Sequence, residues 1–378
     1  MKNDNWKTVR LGDVCEQIFA GGDASKICIV KERSEDYPYP VFANAVENNG
    51  LYGYTNIAKV SKPALTISGR GTIGFTAVRL EPYYPIIRLI SVIPKHNLYD
   101  IKYFYYAVIH NDFHSTGTSI PQLTVPQVEN YKIPLPPLEE QKHIAAVLDK
   151  CTEVIAKHKL MLEKYDTLVK SQFVEMFGDI STGEYKFETR KLGQVAEVGS
   201  SHRVFTTEFV EHGIPFYRGT EIGELANGKI PQEPYYISEE HYQRLIAQDS
   251  KPQIGDLLMP SICNKGQVWM VDTAEPFYYK DGRVLSISPN QEIYNSKYLQ
   301  YFMREKTLIE YPKLGSGSTF AEFKIFLLKD IDVLTPPLAL QEKFAAFVQA
   351  VDAQKAKAQK SLEKAEILYK ALMQEYFG

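Results

Sequence analysis

Pro136-Pro137-Leu138 and Gln141 recur as Pro336-Pro337-Leu338 and Gln341, and each copy opens a forty-residue run, 138–177 and 338–377, without glycine or proline. A proline pair stops the preceding element and is tolerated at a helix start. Forty residues without a breaker then predict a helix about 60 Å long. No single core of ~130 residues can bury one side of such a helix. The chain must therefore use two long helices, each approached by a globular segment.

The recurrence extends well beyond these motifs. At an offset of 200, Gly117-Thr118-Ser119 answers Gly317-Ser318-Thr319, Leu162-Glu163-Lys164 answers Leu362-Glu363-Lys364, and Phe177-Gly178 answers Phe377-Gly378. Earlier in each half the offset is 195, pairing Arg70-Gly71 with Lys265-Gly266, Tyr83-Tyr84 with Tyr278-Tyr279 and Lys102-Tyr103 with Lys297-Tyr298. At the start, TVRLGDVCE (8–16) echoes TRKLGQVAE (189–197) at an offset of 181. The drift identifies a front that accepts insertions and a back of fixed length. Fixed internal periodicity defines architecture before any single motif does.

Alternating steps of four and three give a mostly apolar stripe along each back. Its members include Ile144, Leu148, Ile155, Leu162 and Val169, then Phe344, Val348, Val351, Leu362 and Tyr369. This is a coiled-coil seam. Because the first helix must deliver the chain to a second front, the two helices are expected to pair antiparallel. Packing of each helix on its own front, or on another subunit, is the competing arrangement. The fronts carry short β-branched runs, ALTIS (64–68), FTAVRL (75–80) and IIRLISVI (86–93), and a helical stretch at 100–113. Residues 178–187 read as a polar, glycine-bearing hinge. The expected class is α/β (α+β), with two mixed domains, two long helices in an antiparallel coiled coil, and an internal two-fold repeat. The expected boundaries are 1–135, 136–178, 179–335 and 336–378.

The net charge of −3 is not that of a module that clamps nucleic acid by charge alone. Residues 1–135 hold 14 Lys+Arg against 12 Asp+Glu, whereas 179–335 hold 17 against 22. Any nucleic-acid contact must use local patches or a partner's phosphate contacts. The four scattered cysteines, with no CxxC pair, indicate neither a zinc site nor a disulfide framework. The polar start, MKNDNWKTVRLGD, reads as lacking a signal peptide, and no apolar run is long enough to span a bilayer. A cytoplasmic location without membrane association is expected.

WKTVRLGDV at the start, GTS and GSGST before the prolines, the two PPL-x-x-Q helix starts and the equal long helices together resemble the specificity (S) subunit of type I restriction-modification systems. The resemblance spans essentially the whole chain. The second copy departs at Ala339-Leu340, where the acidic pair Glu139-Glu140 is lost and the helix-dipole match weakens. The resemblance implies two target-recognition domains, each reading one half of a split, asymmetric target in double-stranded DNA. It also implies two methyltransferase (M) subunits, optional restriction (R) subunits, no catalysis by the chain itself, and a helix pair that measures the gap between half-sites. A type IIB-like system with a similar subunit fits the same residues, and a bipartite protein–protein scaffold without a DNA target is the alternative from another class.

Residues 69–74, Gly-Arg-Gly-Thr-Ile-Gly, match GxGxxG, but FTAVRLEPYYP follows and reaches Pro85 too soon for the helix a dinucleotide site needs. No cofactor is expected, and this is a turn between strands. The turn is nonetheless the candidate DNA contact, through Arg70, Gly71 and Thr72 with Ser68, and through Lys265, Asn264 and Gln267 (with Ser261) in the second copy. An exposed turn with a solvated cation is the other reading. The loops bearing Ser119 and Thr319 either contact DNA or shape the approach to the helices. His110 and His114 stand four apart but lack the Glu of HExxH, so no metal is expected. No adenine-methylase loop is present, and Glu322-Phe323-Lys324 has no acidic context that would make a nuclease core.

Overall fold

A computed structural model describes residues 6–111, 113, 122–248, 251–314 and 321–378. The chain divides into two units, 1–160 with 358–378, and 161–357. The division falls inside both long helices, Leu138–Phe177 and Leu338–Phe377.

In the first unit, strands Cys15–Ala20, Ile90–Pro94, Ala64–Ile67 and Thr76–Arg79 lie side by side in that order as an antiparallel sheet. A smaller sheet holds Leu51–Thr55, Tyr39–Phe42 and Tyr84–Pro85, the last pair parallel. The opening segment Lys7–Arg10 pairs antiparallel with Lys132–Leu135, Lys7 opposite Leu135 and Arg10 opposite Lys132. Helix Ile101–Ile109 starts at Asp100, whose carboxylate accepts the Lys102 and Tyr103 N–H groups. Leu11, Tyr103, Phe104, Ile133, Ile144, Leu148 and Met373 share one core. The start of the first long helix therefore packs with the end of the second, antiparallel. Phe377 closes this core with its ring 5.5 Å from Tyr103.

The second unit repeats the plan. Ala196–Ser200, Val284–Pro289, Leu257–Pro260 and Trp269–Met270 form one sheet. Phe209–Val210, Tyr235–Ile237, Ile214–Tyr217 and Tyr278–Tyr279 form another. Thr189–Lys191 pairs with Asp332–Leu334, as the opening segment does in the first unit. Helices Gly219–Ala226 and Glu239–Gln248 lie between Tyr217 and Leu257, where the first unit has only a strand and short turns. This is the insertion-tolerant front inferred from the drifting offset. Val169, Phe173, Phe177, Tyr298, Phe344, Val348 and Val351 share the core, again joining the end of one long helix to the start of the other. Each such large apolar side chain contributes about 1.5–3 kcal/mol on burial.

Along the seam, Ile144, Leu148, Val169, Phe344, Val348, Val351 and Leu362 are buried, while Ile155, Leu162 and Tyr369 are half-buried. Two local expectations change. Residues 178–187 form a hairpin, Gly178–Asp179 against Glu184–Tyr185, rather than an open hinge. Gly178 is required there: its φ is +101°, and a Cβ would lie 2.1 Å from the Glu184 carbonyl oxygen. In IIRLISVI only Ile90 onward is strand, because Ile87 and Arg88 turn the chain at φ of 50° and 60°.

The recurring glutamine has a specific task. The Gln141 side-chain amide donates to the Leu98 and Pro136 carbonyls, each at 2.8 Å, and its oxygen accepts the Asp100 N–H at 2.9 Å. Gln341 repeats the set on Ile293, Pro336 and Asn295 at 2.8, 2.8 and 3.0 Å. Both glutamines are fully buried. Each staples the start of a front helix to the start of a long helix.

Candidate nucleic-acid interface

Residues 68–75 join two antiparallel strands and open no helix, as the sequence indicates. Arg70 is half-buried, Gly71 and Thr72 are exposed, and the Ser68 hydroxyl is buried without a hydrogen-bond partner among the described residues. Gly71 has φ of +68° with open space around it. Asn264 and Lys265 are exposed, and Gln267 accepts the Lys265 N–H at 2.9 Å. Ser119, Thr319 and His114 lie outside the described residues.

The strand registers revise the matching of the two turns. Leu65 pairs with Val78 and with Val92, while Leu257 pairs with Met270 and with Ile287. The whole hairpin therefore repeats at an offset of 192, and Lys265 answers Ile73 rather than Arg70. Gly74 and Gly266, at φ of 84° and 65°, are true equivalents. The literal match of Arg70-Gly71 to Lys265-Gly266 misled because three extra residues enter the second copy between Val271 and Tyr278.

Around Arg70 the structure assembles residues that the sequence did not single out. Arg70 donates from Nε and Nη2 to the Gln122 side-chain oxygen at 3.0 and 2.8 Å, and Arg88 Nη1 reaches the same oxygen at 3.3 Å. One neutral acceptor thus holds two guanidinium groups. Asn44 links the two turns beneath them: its side-chain oxygen accepts the Gly69 N–H at 2.9 Å, and its amide donates to the Ile87 carbonyl. The Ile87 and Arg88 N–H groups donate to Gly22 and Gly21 at 2.8 and 3.1 Å, and Leu89 N–H closes the turn on Ile86. A β-branched residue in the left-handed region costs about 1–2 kcal/mol. The hydrogen bonds on both sides hold it there.

The second front places an arginine at the equivalent position, with a different turn and different charge around it. Arg283 answers Arg88, Glu322 answers Gln122, and Gly282, at φ of 61°, answers Ile87. Leu123 N–H donates to Gly69, and Phe323 N–H donates to Ser261, fixing the equivalence. Glu322 accepts from Arg283 at 2.8 Å, from the Ser261 hydroxyl at 3.3 Å, and from Lys324. The Lys324 ammonium, reinforced by Arg283 and Ser261, holds the Glu322 carboxyl below the usual carboxylate range. The signal for this pair was present in YYPIIRLIS and YYKDGRVLS, whose arginines coincide at the 195 offset.

The fold and site define a duplicated protein whose two fronts each present an arginine at an equivalent turn position and whose backs pair as long helices. The model of the type I restriction modification DNA specificity domain matches residues 3–164 and 184–367, and the chain belongs to that family. The MjaVIII type I specificity subunit of Methanocaldococcus jannaschii is 24% identical over 96% of this chain and 90% of its own length. A putative type I specificity subunit of Mycoplasma pneumoniae, S.MpnORF507P, is 30% identical over 45% of this chain, which spans 47% of that relative. A second from the same organism, S.MpnORF89P, is spanned over 44% of its length. The crystal structure of a type I S subunit from M. genitalium superposes with a TM-score of 0.63 at 16% identity, covering 100% of this chain and 98% of that one. No helix among the described residues is long and apolar enough to cross a membrane.

Proposed function

We propose that this chain is the DNA-binding specificity subunit of a type I restriction-modification complex, reading a bipartite, asymmetric target and directing methyltransferase and restriction subunits to it. Each front, 1–135 and 179–335, reads one half-site, and the two long helices, with their approaches at 136–178 and 336–378, fix the unread gap. The chain performs no chemistry itself. The observation that carries this reading is the paired turn: Arg88 over Gln122 in one front and Arg283 over Glu322 in the other. An arginine kept at equivalent positions over unlike neighbours suits two unlike half-sites, because arginine donates to guanine or phosphate and the neighbouring residue alters which edge is accepted. Arg70, with Gly71, Thr72 and Ser68, extends the first surface; Asn264, Lys265 and Gln267 extend the second.

Co-expression with the methyltransferase chain, followed by mapping of N6-methyladenine in host DNA, tests the proposal. The expected result is a split motif that disappears when this chain is deleted. A methylation pattern that is unchanged by the deletion, in an active system, supports a protein–protein scaffold instead.

A further inference from the structure

We infer that the Ile87–Arg88 turn is a base-reading element of one half-site, with Ile87 against a thymine methyl group and Arg88 on the edge of a neighbouring guanine. This rests on the DNA-reading function proposed above.

The starting observation is a conformational cost with no structural return. Ile87 has φ of 50° and is 46% exposed, so burial does not offset its strain. The repeat provides an internal comparison at this one position: Gly282 holds the equivalent place at φ of 61° without a side chain, although the turns differ beyond it, Arg88 being left-handed and Arg283 not. An exposed apolar side chain at this place is thus particular to the first front. Strained residues persist where surrounding structure fixes them, and they concentrate at functional sites.

The turn is also tied on both sides. Its amides are tied to Gly21 and Gly22, and Asn44 ties its carbonyl to the adjacent Gly69–Arg70 turn. A contact presented in this way loses little entropy on binding. Its surroundings are cationic, because Arg70 and Arg88 meet at the Gln122 oxygen and make no salt bridge among the described residues. An exposed branched apolar group beside guanidinium donors complements two features of the major groove, the thymine methyl and the guanine O6/N7 edge. In the second front Glu322 engages Arg283 and the apolar group is absent, so the two fronts differ at this element in both charge and apolar contact.

The test uses the full chain with its methyltransferase partner and maps N6-methyladenine for wild type, Ile87→Gly, Ile87→Val and Arg88→Ala. Ile87→Gly is expected to remain folded by thermal unfolding, and to keep the spacer and one half-site. At the other half-site, the one Arg88→Ala alters, preference for a single A·T pair should fall roughly tenfold. Ile87→Val should retain it. An unchanged Ile87→Gly motif overturns the inference, as does relaxation at a G·C pair or in the other half-site. Loss of methyltransferase co-purification in Ile87→Gly also overturns it, by assigning the contact to protein. Absence of any chain-dependent split motif in wild type would instead remove the DNA-reading function itself.

Discussion

The Gln141 side-chain oxygen accepts the backbone N–H of Asp100 at 2.9 Å, and Gln341 holds Asn295 in the same way at 3.0 Å. Asp100 and Asn295 are the N-caps of the front helices, so each glutamine fixes where such a helix begins relative to a long helix. Gln141→Ala leaves two carbonyls and one N–H without this partner in a buried place. It is expected to lower stability by about 2–4 kcal/mol, from 1–3 kcal/mol for each unsatisfied group with partial relaxation. Gln341→Ala should behave alike. Urea unfolding measures both, and a loss under about 0.5 kcal/mol would contradict the staple.

Phe177 is fully buried against Tyr298 and Phe344, with ring centroids at 5.1 and 5.5 Å. Phe177→Ala should cost about 3–5 kcal/mol. Hydrogen exchange is expected to rise in residues 161–357 first, and uniform exchange throughout the chain would argue against this local role.

Much of this was legible in the sequence because a repeat compares the chain with itself. The long helices, the strand at Ala64–Ile67 and the PPL-x-x-Q junction follow from breaker-free length, β-branching and recurrence. The hairpin offset of 192 was hidden, since Arg70-Gly71 and Lys265-Gly266 coincide by letters at the offset of 195 that holds only after the three-residue insertion between Val271 and Tyr278. Nor could the sequence bring Asn44, Arg70, Arg88 and Gln122 together, because they come from four separate segments joined by sheet register. The turn at Ile87 was unreadable for a different reason: isoleucine predicts strand, and only tertiary hydrogen bonds override it.

Glu322→Gln removes the negative partner of Arg283 and Lys324. Under the proposed function it should tighten DNA binding and steepen its salt dependence, whereas Arg70→Ala should weaken binding and lower the log–log salt slope by about one. Titration at several salt concentrations checks both. The pH effect has a definite sign. The depressed Glu322 carboxyl adds stability above the usual carboxylate range, and this is lost as pH falls through its lowered folded value.

Insertion of four residues in the first long helix extends it by about 6 Å, close to two base-pair rises. The expected consequence is a changed spacer between two unchanged half-sites in the methylated motif. An unaltered spacer would exclude the measuring role of the helices.

Burial raises the Cys15 thiol to about 12 and Cys263 to about 11. Alkylation of the native protein at pH 8 should therefore modify the exposed Cys28 and spare both, since neither forms appreciable thiolate. Mass spectrometry of the digest reads the outcome, and early labelling of Cys15 or Cys263 would show their cores to be open.

The ribbons Lys7–Arg10 with Lys132–Leu135 and Thr189–Lys191 with Asp332–Leu334 bring the chain out of each front beside the point where it entered. Everything between Arg10 and Lys132 is thus a loop on a two-strand stem, however long it becomes. Insertions within it need not propagate to the helix that follows, because the stem's exit direction is set by its own antiparallel pairing. A front is in this sense a cartridge, and a complete foreign one needs a matching stem together with a helix start and apolar face that fit the glutamine and the long helices.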